Sequence, residues 1–210
     1  MKMRSYWIFF VISAISVGSF IGYLAFNEIN RGKKAETSRA AFKRPLPPFS
    51  FSAHNGSTIS NAELRGKVWV ADFIFTECPG PCLKMSSQMR EIQKRLAKNA
   101  DVRFVSFTVN PDTDTPPVLA KYAEKFNAGP NWLFLTGSKE KLYSLAEKGF
   151  LLNAVDTGDG SGKLEDKFIH DTKFVVVDKT GTIRTYINGT DEDAATKVVA
   201  EVEHYLTSAN

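Results

Sequence analysis

From Trp7 to Phe26 the chain runs for twenty residues without a formal charge, WIFFVISAISVGSFIGYLAF. Such a run does not suit the surface of a water-soluble domain. As a helix rising about 1.5 Å per residue it reaches about 30 Å, the depth of a bilayer's hydrocarbon core. Trp7 and Tyr23 stand near its two ends, where amphipathic rings favour the interface. We therefore expect an uncleaved single transmembrane helix over residues 7–26, preceded by a short tail, 1–6. The rival reading is a cleaved signal peptide. Its apolar region typically spans about 7–15 residues and ends in a small-x-small site, whereas this run is longer and leads into Phe26-Asn27-Glu28-Ile29. Gly18 and Gly22 have the spacing of a helix-dimerisation face, so a homodimer through them is one reading; the ordinary glycine content of membrane helices is the other.

Charge divides the chain in the same place. Residues 1–44 carry eight basic and two acidic side chains, a net +6, which leaves 19 basic and 21 acidic over 45–210, a net −2. The basic excess belongs to the flanks of the apolar run, and the remainder lacks the positive surface of a general nucleic-acid binder. Basic residues lie on both sides of the run, so the charge count leaves its orientation open. Residues 27–48 are polar and end in Arg44-Pro45-Leu46-Pro47-Pro48, a linker with extended, polyproline-like character.

Residues 49–210 read as one α/β domain. Phe49–Ala53 and Ser57–Ile59 flank an Asn55-Gly56 turn, a hairpin signature. Lys67–Phe75 is nearly all apolar, as in a central strand covered on both faces, with Asp72 as its one charge. Leu83–Lys98 has a helical period in Met85, Met89, Ile92 and Leu96. Then come a strand over Val102–Val109, a helix opened by Pro116, a strand over Trp132–Leu135 and a helix over Lys139–Lys148 with Gly149 as its C-cap. Residues 153–166 are turn-rich and read as an inserted loop. A hairpin of Phe174–Val177 with Thr182–Ile187 and a helix over Ala194–Leu206, with Val198, Val199, Val202 and Leu206 on one face, close the chain. Strands alternating with helices imply a mixed parallel and antiparallel sheet.

The chain has two cysteines, Cys78 and Cys82, in Phe75-Thr76-Glu77-Cys78-Pro79-Gly80-Pro81-Cys82. A buried strand runs into this loop and a helix leaves it near Cys82. Helix amino-termini carry partial positive charge and lower thiol pKa values. One helical turn of separation puts both sulfurs on one face, where they suit a disulfide or a shared metal ion better than two inert structural positions. Asp72 precedes Cys78 by six residues; it is either a buried carboxyl group able to exchange protons or an edge-facing, solvated one. His54 reads as a surface turn residue and His204 as exposed on the last helix. His170 lies 88 positions beyond Cys82, within reach of the cysteines only through the fold. Asp112 and Asp114 read as caps of the helix that opens at Pro116.

Phe73–Cys82 resembles the F-T-x-C-P-x-x-C signature of the Sco/SenC copper-assembly family. Three further blocks follow in that family's order. Ser106–Pro116 is similar to S-x-D-P-x-x-D-T-P, and Trp132–Gly137 to W-x-x-L-T-G. Ile169-His170-Asp171-Thr172 with Val177–Gly181 is similar to the family's histidine, strand and D-x-x-G turn. The resemblance spans roughly residues 45–205. It implies a thioredoxin-like mixed sheet with flanking helices and copper held by Cys78, Cys82 and His170. It also implies a role in assembling the dinuclear copper centre of a cytochrome c oxidase, with that oxidase subunit or another copper carrier as partner. Soft thiolates favour Cu(I), and an imidazole completes a site that also tolerates Cu(II). Two departures stand out. Leu83 follows the second cysteine where the family has proline, and Asn110 replaces the first aspartate of the second block.

A membrane-tethered thiol–disulfide oxidoreductase is the alternative, with Cys78 attacking and Cys82 resolving. Against a general reductase stand the three residues between the cysteines and the lack of proline in Ile169–Thr172. A peroxidase would require an arginine beside the thiols, with Arg65 and Arg103 as candidates. With copper chemistry of this kind we expect a bacterial inner-membrane protein whose folded domain faces the periplasm.

Overall fold

The structure is a computed structural model, and it describes Phe20, Gly22, Tyr23, Phe26 and residues 44–152 and 171–208. The chain divides into two compact units, Met1–Phe42 and Lys43–Asn210. The four described residues of the first are helical and exposed. Among the described residues no helix is long and apolar enough to cross a membrane. Most of the expected span 7–26, Gly18, the expected loop 153–166 and His170 lie outside the described residues.

The second unit is built on one eight-stranded sheet. Its strands are β1 (Arg44–Pro45), β2 (Ser50–Ala53), β3 (Thr58–Ser60), β4 (Val68–Ile74), β5 (Val102–Thr108), β6 (Trp132–Thr136), β7 (Lys173–Val177) and β8 (Thr182–Asn188), in the spatial order β1-β8-β7-β4-β5-β6-β2-β3. β4, β5 and β6 are parallel, and the remaining pairings are antiparallel. The helices are α1 (Asn61–Leu64), α2 (Pro81–Arg95), α3 (Pro116–Lys125), α4 (Lys139–Ser144), continued by a π turn over Leu145–Gly149, and α5 (Ala194–Thr207). This is the mixed, helix-flanked thioredoxin-like sheet that the resemblance implies.

All seven residues of β4 are buried, as its unbroken apolar pattern requires of a strand covered on both faces. Trp69 and Phe73 point to one side, where Phe73 stacks on Phe107 at 5.1 Å and Phe150 closes edge-on against both Phe73 and Trp69. Asp72 points to the other side with Ser106 of β5, under α2 and α3. Tyr122 of α3 joins the two helices there, its hydroxyl 2.9 Å from Ser86 of α2.

Three local expectations need correction. Gly149 is not a left-handed C-cap: positive φ among the described glycines occurs at Gly56, Gly66 and Gly181. Glycine is required at 149 by space, since a Cβ there would lie 2.8 Å from Leu145 Cδ1 and 3.2 Å from Pro47 Cδ. The buried face of α5 is Ala194, Ala195, Val198, Val202 and Tyr205, rotated from the expected stripe because Tyr205 packs inward against Arg184, whose guanidinium lies over its ring. Asp114 does not cap α3; Thr115 occupies the N-cap position and Asp114 is wholly buried.

Candidate metal centre

The sheet geometry brings the chemistry to one end. β4 ends at Ile74, whose carbonyl accepts from Val109 N–H just past the end of β5. The loop after β4 closes on itself through Cys78 N–H to Phe75 O at 3.2 Å. α2 then begins at Pro81, with Gly80 as N-cap and no side-chain cap. Proline at the first helical position donates no backbone proton where none is needed. Cys82 thus sits inside the first turn of α2, which begins two residues before the expected start at Leu83.

Cys78 and Cys82 are thiols not joined by a disulfide, 5% and 7% exposed. They face each other. The hydrogen bond between the two sulfurs is the chief cause that pushes the Cys82 thiol far above its ordinary range; burial adds to it, and Phe75 N–H opposes it. The helix amino-terminus therefore does not leave Cys82 a ready thiolate, contrary to the expectation from its position. A second sulfur in a buried site holds Cys82 protonated, and a soft cation bound by both sulfurs would displace the protons of both thiols. Among the described residues no group of three His, Cys, Asp or Glu side chains gathers around a common point. The described donor set is two sulfurs, which fits a soft monovalent ion and leaves room for a further ligand.

The chain returns to this end at β7. β7 runs antiparallel to β4, with Ala71 opposite Val175, so Asp171, Thr172 and Lys173 lie at the end where β4 meets the cysteine loop. Thr172 O accepts from Gly189 N–H at 2.6 Å. A Cβ on Gly189 would meet Met85 Cγ at 3.0 Å and Phe174 Cε2 at 3.1 Å. Met85 is one turn along α2 from Cys82. Glycine at 189 thus lets the segment leaving β8 pack close to Met85 of the cysteine helix while its N–H holds Thr172.

Asp72 is fully buried rather than solvated. Neither carboxyl oxygen has a hydrogen-bond partner of good geometry. Burial pushes its pKa up to about 7; the nearby Ser106 hydroxyl, which accepts from Trp132 Nε1 at 2.9 Å, opposes the shift without reversing it. Asp114 lies at the cysteine end of the sheet, while Asp112 is exposed. His54 is half-buried, not a free surface group. Its Nδ1 accepts from Phe134 N–H at 3.2 Å, and burial lowers its pKa. His204 is exposed. Arg65 and Arg103 stand at the opposite end of the sheet, Arg103 donating to Ala100 O and Val102 O, so neither supplies the arginine a peroxidase site would need.

The chain is similar to known proteins over most of its length. The chain is 36% identical over 165 residues to the SCO1 protein homolog of Bacillus subtilis (strain 168), covering 77% of this chain and 83% of that protein. BsSco, a member of the Sco family of cytochrome c oxidase assembly proteins in which a disulfide switch has been identified, superposes with a TM-score of 0.68 at 34% identity, over 80% of this chain and 96% of that one. Copper-bound ScoI of Bradyrhizobium japonicum shares the fold, with a TM-score of 0.64 at 21% identity over 77% and 99% of the two chains. The SCO1/SenC family pattern itself matches residues 37–207. A match that runs from ahead of β1 into the last turn of α5, across both cysteines, makes this chain a member of the SCO1/SenC family.

Proposed function

We propose that the chain is a membrane-anchored copper metallochaperone for the dinuclear copper centre of cytochrome c oxidase. Its cargo is one copper ion, held by the thiolates of Cys78 and Cys82 and by the imidazole of His170. The observation that carries this reading is the pair of buried thiols in mutual contact at the sheet end to which Asp171 and Thr172 return. Each ligand has a distinct part. The two thiols each give up a proton and bind the soft ion as thiolates, and the neutral imidazole closes the site and leaves first on transfer. The copper-bound relative and the oxidase-assembly role of BsSco support the same reading.

Residues 7–26 anchor the chain in a bacterial inner membrane, residues 27–48 hold the domain away from the lipid, and the domain (residues 49–210) faces the periplasm, where an oxidase copper centre of this kind is assembled. The test is an anaerobic Cu(I) titration of the full chain against a chromogenic chelator. One ion per chain is expected. Cys78→Ser and Cys82→Ser should abolish tight binding, and His170→Ala should weaken it sharply. Full-strength binding in either cysteine variant refutes the site.

The Cys78/Cys82 contact also favours a second reading, a thiol–disulfide reductase. Cys78 thiolate would attack a substrate disulfide and release one thiolate; Cys82 would then displace the second. The substrate gains two electrons and two protons, and a Cys78–Cys82 disulfide remains. The buried, strongly protonated Cys82 makes a poor resolving thiol, so slow turnover of a disulfide substrate is expected. A thioredoxin-like rate would place this reading first.

A further inference from the structure

Asp114 is 0% exposed, yet no cation is paired with it among the described residues. Its carboxyl group accepts from Thr76 N–H at 3.2 Å, from Thr76 Oγ1 at 2.5 Å and from Thr108 Oγ1 at 2.5 Å. Burying such a group is costly unless every lone pair is matched. A turn needing only closure could do without it, because Thr113 and Asp114 N–H already bond to Asn110 O. The position of the contacts shows what the group does. Ile74 and Thr108 form the last paired position of β4 and β5. Beyond them Thr76 N–H is bound by Asp114 in place of a strand partner. Thr76 lies two residues before Cys78, and between it and Gly80 the loop has the local Phe75–Cys78 turn as its described backbone bond.

We propose that Asp114 is a positioning residue for the copper site: by clamping Thr76 to the end of β5 it holds Cys78 where its sulfur meets that of Cys82. This rests on the copper reading above. Asp114 touches neither the ion nor a ligand in this account. It acts through Thr76, and its loss lets the first cysteine drift from the second. Groups that orient metal ligands commonly change affinity by about 10–100-fold when removed.

The experiment compares full-length wild type with Asp114→Asn, Thr76→Val and Thr76→Ser. Asp178→Asn serves as the control for losing a buried carboxyl group at the far end of the sheet, where Asp178 binds Thr180 and Arg184. Two quantities are read: Cu(I) affinity by chelator competition, and the rate of maleimide labelling of the copper-free thiols. Asp114→Asn and Thr76→Val should weaken copper binding about 10–100-fold and speed labelling about tenfold, the scale of one hydrogen bond to a carboxylate. Thr76→Ser, which keeps the hydroxyl, should match wild type, and Asp178→Asn should leave both readings unchanged. If Asp114→Asn does not fold, the Thr76 pair decides alone. Wild-type affinity and labelling in Thr76→Val, or equal losses in Asp178→Asn, overturn the clamp. Should wild type itself bind no copper, the functional reading fails, and the labelling rates still decide whether Asp114 orders the cysteine loop.

Discussion

Asp72 makes the stability of this fold depend on pH in a direction opposite to that of most carboxylates. Its pKa rises from 3.8 to about 7 because the carboxyl group is wholly buried. The folded state therefore holds the proton more tightly than the unfolded chain does. The stabilising contribution is complete below about pH 4 and is lost as pH climbs toward 7. Three pKa units at about 1.4 kcal/mol each correspond to about 4 kcal/mol over the whole range, of which about 2–3 kcal/mol falls between pH 5 and 8. Asp72→Asn replaces the group with a neutral amide of the same shape and should remove this term. The assay is urea unfolding of the reduced, copper-free protein at pH 5 and pH 8, followed by the fluorescence of the buried Trp69 and Trp132. Cys82 and Tyr122, which share the field of Asp72, both titrate above that window, so they contribute little to the difference. The variant should gain about 2–3 kcal/mol relative to wild type on going from pH 5 to pH 8. Parallel pH profiles for the two proteins would refute the claim that Asp72 is a buried, unpaired carboxyl group.

Gly149→Ala should destabilise the domain by about 1–3 kcal/mol through the clash with Leu145 and Pro47; an unchanged denaturation midpoint would contradict that packing. Tyr122→Phe leaves Ser86 without its 2.9 Å partner and should cost about 1–2 kcal/mol, most of it recovered when Ser86→Ala is added; additive losses would show that the pair does not interact. Removal of residues 1–26 should move the protein from the membrane pellet to the soluble fraction after cell lysis, and retention in the pellet would refute the anchor.

Much of the architecture is legible from local pattern. The apolar run of β4, the spacing of Met85, Met89, Ile92 and Leu96, and the Asn55-Gly56 turn each encode an element through its own neighbours, and each of these helical positions is buried. The cysteine loop is legible for the same reason, since strand, prolines and helix follow one another directly. What escapes local reading is set across distance. An aspartate ahead of Thr115-Pro116 has the signature of a helix cap, yet Asp114 is claimed by Thr76, 38 residues earlier. Glycine after a helix suggests a left-handed cap, yet Gly149 answers to the crowding of Pro47. A thiol at a helix amino-terminus suggests a low pKa, yet the second sulfur and the surrounding core decide otherwise for Cys82. Asp72 could not be assigned to core or edge until β5 and β7 were known to flank its strand.

Three side chains, two of them four positions apart in sequence and one distant, are proposed to close on a single ion. X-ray absorption at the copper edge of the Cu(I)-loaded full chain measures this directly. Two sulfur scatterers and one imidazole nitrogen per copper are expected, with the nitrogen lost in His170→Ala and both sulfurs retained. A spectrum of the same ligand set before and after that substitution would contradict the three-ligand site.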